Sequence, residues 1–287
     1  MNQIVSMTIP ASLTLPGHTF KWGQRTYLMG VLNVTPDSFS DGGDHYTTDA
    51  ALAQAHQMIA SGVDIIDLGG QSTRPGASEI SSSEELDRVL PVLQVLRQAT
   101  KVTISVDTTR AAVAKACVEK GADLINDISG ATFDPKMLST VAQLGVPIIL
   151  MHIRGTPQTM QQLTNYGDLI GEIYQFLASR IEDAIASGID RSRIIIDPGI
   201  GFAKTHDQNL EILRSLPRFH SLNCPVLVGP SRKGFIGQIL NQPEPKARVW
   251  GTAAACCGAI AGGADILRIH DVKEMRDVCR VADALFR

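Results

Sequence analysis

Residues 28–43 read LMGVLNVTPDSFSDGG, and the stretch changes character halfway along. Through Val34 it is a short apolar run of the kind that fills a buried strand. It then turns at once into a loop carrying Thr35, Asp37, Ser38 and Asp41 before Gly42 and Gly43. An open doubly wound sheet usually follows its first strand with a Gly-rich dinucleotide turn, and NVTPDSFSDGG lacks that spacing. The first strand therefore opens onto polar chemistry that is not a nucleotide fingerprint, and the pattern recurs down the chain.

Seven further strand-like runs follow: VDIIDLG, VTISVD, ADLIND, VPIILMH, RIIIDPG, PVLVGPS and ADILRIH. Between and after them lie amphipathic segments that predict helices over Asp49–Ser61, Ser83–Gln98, Arg110–Lys120, Pro135–Leu144, Leu169–Ser187, Asn209–Leu216, Arg248–Gly262 and Val272–Phe286. Gly62, Gly121, Gly145 and Gly263 stand where glycine suits a helix end. Eight βα units in about 250 residues match the count and length of a (β/α)8 TIM barrel. Before Leu28 the segment LTLPGHTFKWGQRTYL reads as a hairpin turning at Pro16-Gly17. The expected organisation is a single α/β barrel over 28–287, with residues 1–27 an N-terminal β-hairpin extension capping the barrel floor.

The 287 residues are 44% hydrophobic and 19% charged, with a net charge of −3 and no long Lys/Arg run, so neither nucleic acid nor an anionic membrane is an expected partner. No apolar stretch approaches the roughly 20 residues that span a bilayer, and no secretory signal is evident. Five cysteines without metal-binding spacing read as free thiols in a reducing, cytoplasmic setting.

In a barrel of this kind the loops after the strands build the active site. The strand ends supply Asn33, then Thr73-Arg74-Pro75, Asp107, Asn126-Asp127, Met151-His152, Asp197, Ser231-Arg232-Lys233 and Arg268-Ile269-His270. Plainer explanations exist for some: Asp107 or Thr108 can cap a helix, and Asp127 or Ser129 can hold a turn. Asp197 resists such an explanation, because it ends an apolar strand and precedes a Pro-Gly turn. His152 and His206 stand alone, and Cys256-Cys257 sit among small residues suited to helix packing. Arg74, Lys233, Arg268 and His270 gather the positive, forked donors that a phosphate or diphosphate needs. Asp107, Asn126 and Asp197 offer acceptors to paired N–H donors such as those of an amino-pyrimidinone ring. Asn33 adds one neutral oxygen, enough to anchor Mg²⁺ when phosphate and water complete its shell.

These motifs, from MGVLNVTPDSFSDGG and DIIDLGGQSTRPGA through ISVDTTR, LINDISG, MHIRGTP, IIIDPGIGFAKT and VGPSRKGFIG to GTAAACCGAIAGGADILRIHDV, resemble in order and spacing the dihydropteroate synthases of the folate pathway. The resemblance covers nearly the whole chain. It implies a Mg²⁺-assisted condensation of 6-hydroxymethyl-7,8-dihydropterin diphosphate with 4-aminobenzoate, releasing pyrophosphate. The pterin would then lie among Asp107, Asn126, Ile128, Met151, Asp197 and Lys233. The diphosphate would lie against Asn33, Arg74, Arg268 and His270, with the metal bridging to Asn33. Aminobenzoate would sit among Thr73, Pro75, Phe202, Ser231, Arg232 and Lys233. The expected catalytic set is Lys233, Asp107, Asp197 and Arg268.

Two rival readings stay open: a folate-dependent methyltransferase on a similar barrel, and a pterin-binding homologue without catalysis. Arg74, the Ser231-Arg232-Lys233 step and Arg268-Ile269-His270 favour the synthase, since a methyltransferase has no diphosphate to hold. The resemblance also implies a homodimer through the late helices; the stretch before Leu28 is too short for the pterin pyrophosphokinase that some members carry as a fused domain, so a synthase alone is expected. Thr35, Asp37, Ser38 and Phe39 become candidates for a lid over the first strand.

Overall fold

The computed structural model describes residues 10–35 and 44–287; Asp37, Ser38, Phe39 and Asp41, read above as lid or loop residues, lie outside them. Leu13–Leu15 (β1) and His18–Phe20 (β2) pair antiparallel, Leu13 opposite Phe20. Pro16 and Gly17 make the expected turn, where Gly17 takes φ +83.

From there strand and helix alternate: β3 Tyr27–Asn33, α1 Asp44–Ala60, β4 Ile65–Gly69, α2 Ser82–Ala99, β5 Thr103–Asp107, α3 Ala111–Glu119, β6 Leu124–Asp127 and α4 Met137–Leu144. The chain continues through β7 Ile148–Met151, α5 Leu169–Ala186, β8 Ile194–Asp197, α6 His206–Arg214, β9 Leu227–Val228, α7 Gly234–Leu240, α8 Val249–Ala261, β10 Ile266–Ile269 and α9 Val272–Phe286. Strands β3 to β8 neighbour one another in sequence order, with β10 on the other side of β3 and β9 beyond it. The ring closes where Ile196 N donates to Pro225 O at 3.0 Å and Ile196 bridges Val226 in parallel. This is the expected (β/α)8 barrel.

Side chains on a strand alternate between its faces. On the barrel, Leu28, Leu32, Ile66, Leu68, Ile104 and Ile125 pack outward against the helices. The opposite parity points inward. Its lowest layer, Met29, Ile65, Leu124, Ile149, Ile195, Leu227 and Ile266, forms one apolar cluster with Leu13, Leu15, Phe20, Trp22 and Tyr27. The hairpin thus plugs the floor: Phe20 and Trp22 stack with ring centres 5.5 Å apart, and Tyr27 meets Phe20 edge-on at 4.9 Å. Buried Asp265 ties plug to barrel, its two oxygens accepting from Gly23 N at 3.1 Å and Val226 N at 3.0 Å. Two residues further along the same inward face stand Asp67, Asn126, Met151, Asp197 and Arg268, so an apolar floor gives way to a polar mouth within one pleat repeat.

The helix boundaries have local causes. The four glycines expected to end helices all take positive φ, +81 at Gly62, +104 at Gly121, +67 at Gly145 and +89 at Gly263. A capping box between Thr205 and Gln208 starts α6 three residues before the predicted Asn209. The predicted seventh strand shrinks to two residues, since Pro225 and Pro230 flank it without N–H donors to extend the ladder. Helix α7 was not anticipated, because its seven residues GFIGQIL carry two glycines and no periodic polar face. Among the described residues no helix is long and apolar enough to cross a membrane.

Replacing Trp22, which is 2% exposed, by alanine removes the largest side chain of the floor. The expected loss is roughly 3–5 kcal/mol of stability, read from urea unfolding. A loss under about 1 kcal/mol would show that the hairpin is not integral to the barrel.

Candidate active site

Arg268 lies at the centre of the mouth. Its Nε donates to Asp67 Oδ2 at 2.6 Å and its Nη2 to Asp107 Oδ2 at 2.8 Å, while Asn126 Nδ2 donates to the same Asp67 oxygen at 3.0 Å. Strands β10, β4, β5 and β6 each contribute one member, all on the inward parity. Asp67 is 0% exposed, and its Oδ1 has no hydrogen-bond partner among the described residues. Burial opposes the charge on Arg268, but Asp67 and Asp107 outweigh it and lift its pKa above the usual value. For Asp107 the balance goes the other way. Burial dominates, and with repulsion from Asp67 and Glu85 it overcomes the attraction of Arg268, raising the carboxyl to about 7.

A second cluster occupies the β7–β8 side. Asp197 is nearly buried, and its Oδ1 accepts from Gly199 N at 2.7 Å. Burial raises it to about 6 against the pull of Gly199 N–H, Lys233 and Lys204. Lys233 stands at the N-cap of α7 but makes no cap hydrogen bond. Its ammonium instead lies over Phe202, 4.4 Å from the ring centre, and burial together with Arg268 lowers its pKa to about 8. Lys204 is 3% exposed and donates to Phe202 O at 2.8 Å, with His152 Nδ1 3.0 Å away. Burial lowers Lys204 to about 7 and holds His152 well below the usual imidazole range, so His152 is a neutral acceptor tying strand to loop.

The loop after β8 is fixed from several sides: Gly201 N donates to Asn209 Oδ1 at 2.6 Å, and Tyr166 OH to Ala203 O at 3.0 Å. Gly201 takes φ +83, which favours glycine, and a Cβ there would lie 2.8 Å from Lys233 Cδ and push the lysine stem aside. The loop presents Phe202 beside Ile128, Met151, Ile153, Met160 and Ala203, a compact apolar wall at the mouth.

Other expected site residues are distributed around this centre. Asn33 ends β3 half-buried, opposite Gly69 of β4. His270 Nδ1 lies 3.0 Å from Ser231 Oγ, which also accepts from His270 N at 3.1 Å. His270 was counted among the positive groups, but burial and the nearby Arg232 and Arg268 press it down to about 3, so it is neutral here. Arg232, at φ +59, commits its guanidinium to Asp271 through contacts of 3.1 and 2.5 Å. That pairing fixes the backbone between Ser231 and Lys233 and leaves the Arg232 head group engaged. Thr73 lines a cavity of about 100 Å³ beside Asp107 and Ile128, whereas Arg74 and Pro75 are exposed on the loop above it. Asp127 holds a turn, accepting from Ser129 N at 2.7 Å and Ser129 Oγ at 2.6 Å. No group of three His, Cys, Asp or Glu among the described residues is placed to hold a metal ion. The single amide oxygen of Asn33 fits an ion carried mainly by phosphate oxygens and water rather than an all-protein cage.

Sequence reading missed Asp67 and Lys204. Both had a usable signal: Asp67 shares the inward parity of Ile65, and Lys204 follows Phe202 in IIIDPGIGFAKT.

An eight-stranded barrel with carboxylates, an amide and paired cations at its strand ends is the frame of a pterin-binding enzyme, and the family model described as "Pterin binding enzyme" matches residues 29–270. A dihydropteroate synthase of Synechocystis sp. is 58% identical over 278 residues, covering 97% of this chain and 96% of that protein. The crystal structure of a Xanthomonas albilineans dihydropteroate synthase with 4-aminobenzoic acid superposes with TM-score 0.90 at 42% identity, covering 97% of this chain and 98% of that one. A Yersinia pestis dihydropteroate synthase, solved as a sulfonamide drug complex, gives TM-score 0.89 at 44% identity, covering 96% and 99%. The chain belongs to the pterin-binding enzymes and, within them, to the dihydropteroate synthase family of transferases.

Asp67 is one of the charges that raise Asp107. Asp67→Asn is therefore expected to lower the Asp107 midpoint from about 7, followed by carbon-detected NMR titration of the carboxyl. An unchanged or raised midpoint would remove Asp67 from the network's charge balance.

Proposed function

We propose that the barrel mouth performs its family's condensation with the groups just described: the chain is a transferase of folate biosynthesis that joins 6-hydroxymethyl-7,8-dihydropterin diphosphate to 4-aminobenzoate, releasing pyrophosphate and 7,8-dihydropteroate. The observation that carries the assignment is the Asp197–Lys233 pair beside Phe202. It sets a carboxylate and an ammonium against an apolar wall, as a flat heterocycle with a donor edge and an acceptor edge requires.

In this reading Asp197 accepts from the pterin amino and ring N–H groups, and Lys233 donates to its acceptor edge. Asp107 and Asn126 line the far edge, while Ile128 and Met151 pack against the ring. The diphosphate lies toward Asn33, Arg74, Arg268 and His270. Arg268 gives Nε to Asp67 and Nη2 to Asp107, and Nη1 is the donor we assign to that ligand. Neutral His270 suits a donor that gains charge only as anionic oxygens arrive. Mg²⁺ would supply charge to the departing pyrophosphate, with Asn33 as the ligand from this chain. Aminobenzoate stacks on Phe202 and meets Thr73, Pro75, Lys233 and the Ser231-Arg232 backbone; sulfonamides, as its mimics, occupy the same place.

The chemistry follows from the charges. The C–O bond to diphosphate breaks and pyrophosphate takes the electron pair, leaving a cation spread over the electron-rich pterin. Asp107 stabilises that cation while Arg268 faces the leaving group. The aniline nitrogen then attacks the carbon and loses a proton to pyrophosphate or solvent. Preorganised groups of this kind contribute on the order of 3 kcal/mol each.

The apolar groove between α6, α7 and α8, about 560 Å³ and flanked by Ile239, Leu240 and the 76%-exposed Trp250, supports a homodimer through the late helices. The free cysteines, four of them buried, suit the reducing cytoplasm, where we place the protein.

Given both substrates and Mg²⁺, the purified protein is expected to release pyrophosphate and form dihydropteroate. Its kcat/KM for the pterin should be bell-shaped in pH. Activity falls as Asp197 protonates below about 6 and as Lys233 loses its proton above about 8. Asp197→Asn should weaken pterin binding and flatten the acid limb; an unchanged limb excludes that carboxylate from the pocket. Trp250→Glu should shift the sedimentation coefficient to that of a monomer, and an unaltered dimer would place the interface elsewhere.

A further inference from the structure

Arg110 sits one residue before α3, yet its side chain crosses to the loop between β4 and α2. The guanidinium reaches four acceptors. Nη1 donates to Gln71 Oε1 at 2.8 Å and to the carboxylate of Glu85; Nη2 donates to Ile80 O at 2.6 Å and Glu79 Oε1 at 3.1 Å. Glu85 is 1% exposed in the first turn of α2, so the fork is anchored in the core. Gln71 stands at one end of the loop and Glu79 and Ile80 at the other. One planar cation therefore draws both ends together, which a lysine ammonium, lacking the fork, does less well.

Between the pinned ends the loop carries Thr73, Arg74, Pro75 and Gly76. Its tip crosses to the loop after β7, where Gly76 N donates to Pro157 O at 3.1 Å. The resulting strap roofs the 100 Å³ cavity whose walls include Thr73, Arg110, Glu85 and Pro157 and whose inner side includes Asp107 and Ile128. Nothing in the reaction chemistry described above uses Arg110.

We propose that Arg110 is a positioning residue for the second substrate: it holds the strap over residues 71–80 in the conformation that turns Thr73 and Pro75 toward aminobenzoate. This rests on the placement of aminobenzoate beside Thr73 and Pro75. The pinned ends remove loop freedom before the substrate arrives, so orientation is set by the protein and not by the encounter. The contacts assigned to the pterin ring lie at the ends of β5 to β8 and at Lys233, outside the strap; of the groups assigned to the diphosphate, Arg74 alone rides on it.

The test uses the full chain with Arg110→Met, and Arg110→Met combined with Glu85→Met so that no unpaired carboxylate stays buried. The KM for aminobenzoate is expected to rise about tenfold in both, with the affinity for 6-hydroxymethyl-7,8-dihydropterin, which lacks the diphosphate that Arg74 would meet, held within about twofold. Amide exchange at Gly76 should accelerate while that of α3 stays protected, and Arg110→Lys should recover part of the KM. An unmoved aminobenzoate KM in the folded double variant, or equal losses for aminobenzoate and the diphosphate-free pterin, overturns the proposal. Thr73→Ala run in parallel separates the two ideas. If it raises the aminobenzoate KM while the Arg110 variants do not, the strap inference alone falls; if it changes nothing, the placement at Thr73 falls and the inference with it.

Discussion

A guanidinium inside a barrel cannot stand without anions, and the clamp of Arg268 between Asp67 and Asp107 is the constraint around which the mouth is arranged. The partners are 201 and 161 residues apart in sequence, and closure of the ring brings them to 2.6 and 2.8 Å. Removing one partner from a buried pair typically costs about 3–5 kcal/mol, because the remaining charge is stranded. The clamp therefore couples β10 to β4 and β5, strands with which it shares no hydrogen-bond ladder. It also leaves the local count at two carboxylates for one cation, and burial together with that excess of negative charge is why Asp107 holds its proton to about 7. A positive charge developing beside Asp107 would meet a carboxyl ready to ionise.

The apolar floor makes this arrangement effective. The hairpin aromatics and the lowest inward layer close the barrel from below, so the charged layer faces ligand on one side only. In such a setting each dipole and charge acts with little solvent reorganisation, the condition under which preorganised electrostatics matters most. The floor thus supplies stability and, in the proposed reaction, would keep the charged layer dry from below. Fold and site share the same alternation of side chains along each strand.

That alternation also explains what was legible in the sequence. Strand count, helix ends at Gly62, Gly121, Gly145 and Gly263, the hairpin and the polar rim all follow from local pattern, and the structure contains them. Asp67 was missed although its parity with Ile65 was readable, because its distant partner Arg268 becomes evident only on folding. Helix α7 escaped because two glycines interrupt its seven residues and its buried positions, Phe235, Ile236 and Gly237, are consecutive and show no amphipathic period. The neutral state of His270 was beyond reach for a different reason: its charge is set by burial and by arginines brought near through folding. The same is true of Arg110, whose four acceptors lie on segments that only tertiary structure assembles.

The titration of the mouth links function to stability. Asp107 and Asp197, raised from 3.8 to about 7 and about 6, favour folding fully below 3.8, and that contribution is lost as pH rises through 6 and 7. Lys204 and Lys233, lowered from 10.5 to about 7 and about 8, favour folding fully above 10.5, and theirs is lost as pH falls through 8 and 7. At pH 7 Asp197 and Lys233 stand mainly in the charged forms that burial disfavours while Asp107 and Lys204 are near their midpoints, so the mouth opposes folding. A ligand offering N–H donors to Asp197 and acceptors to Lys233 relieves both costs at once, so binding stabilises the chain through the same groups that orient the ring. The destabilised charges are then a consequence of building a dry, polar pocket in advance of its ligand, and the deep core of floor and helices is what lets the fold carry them.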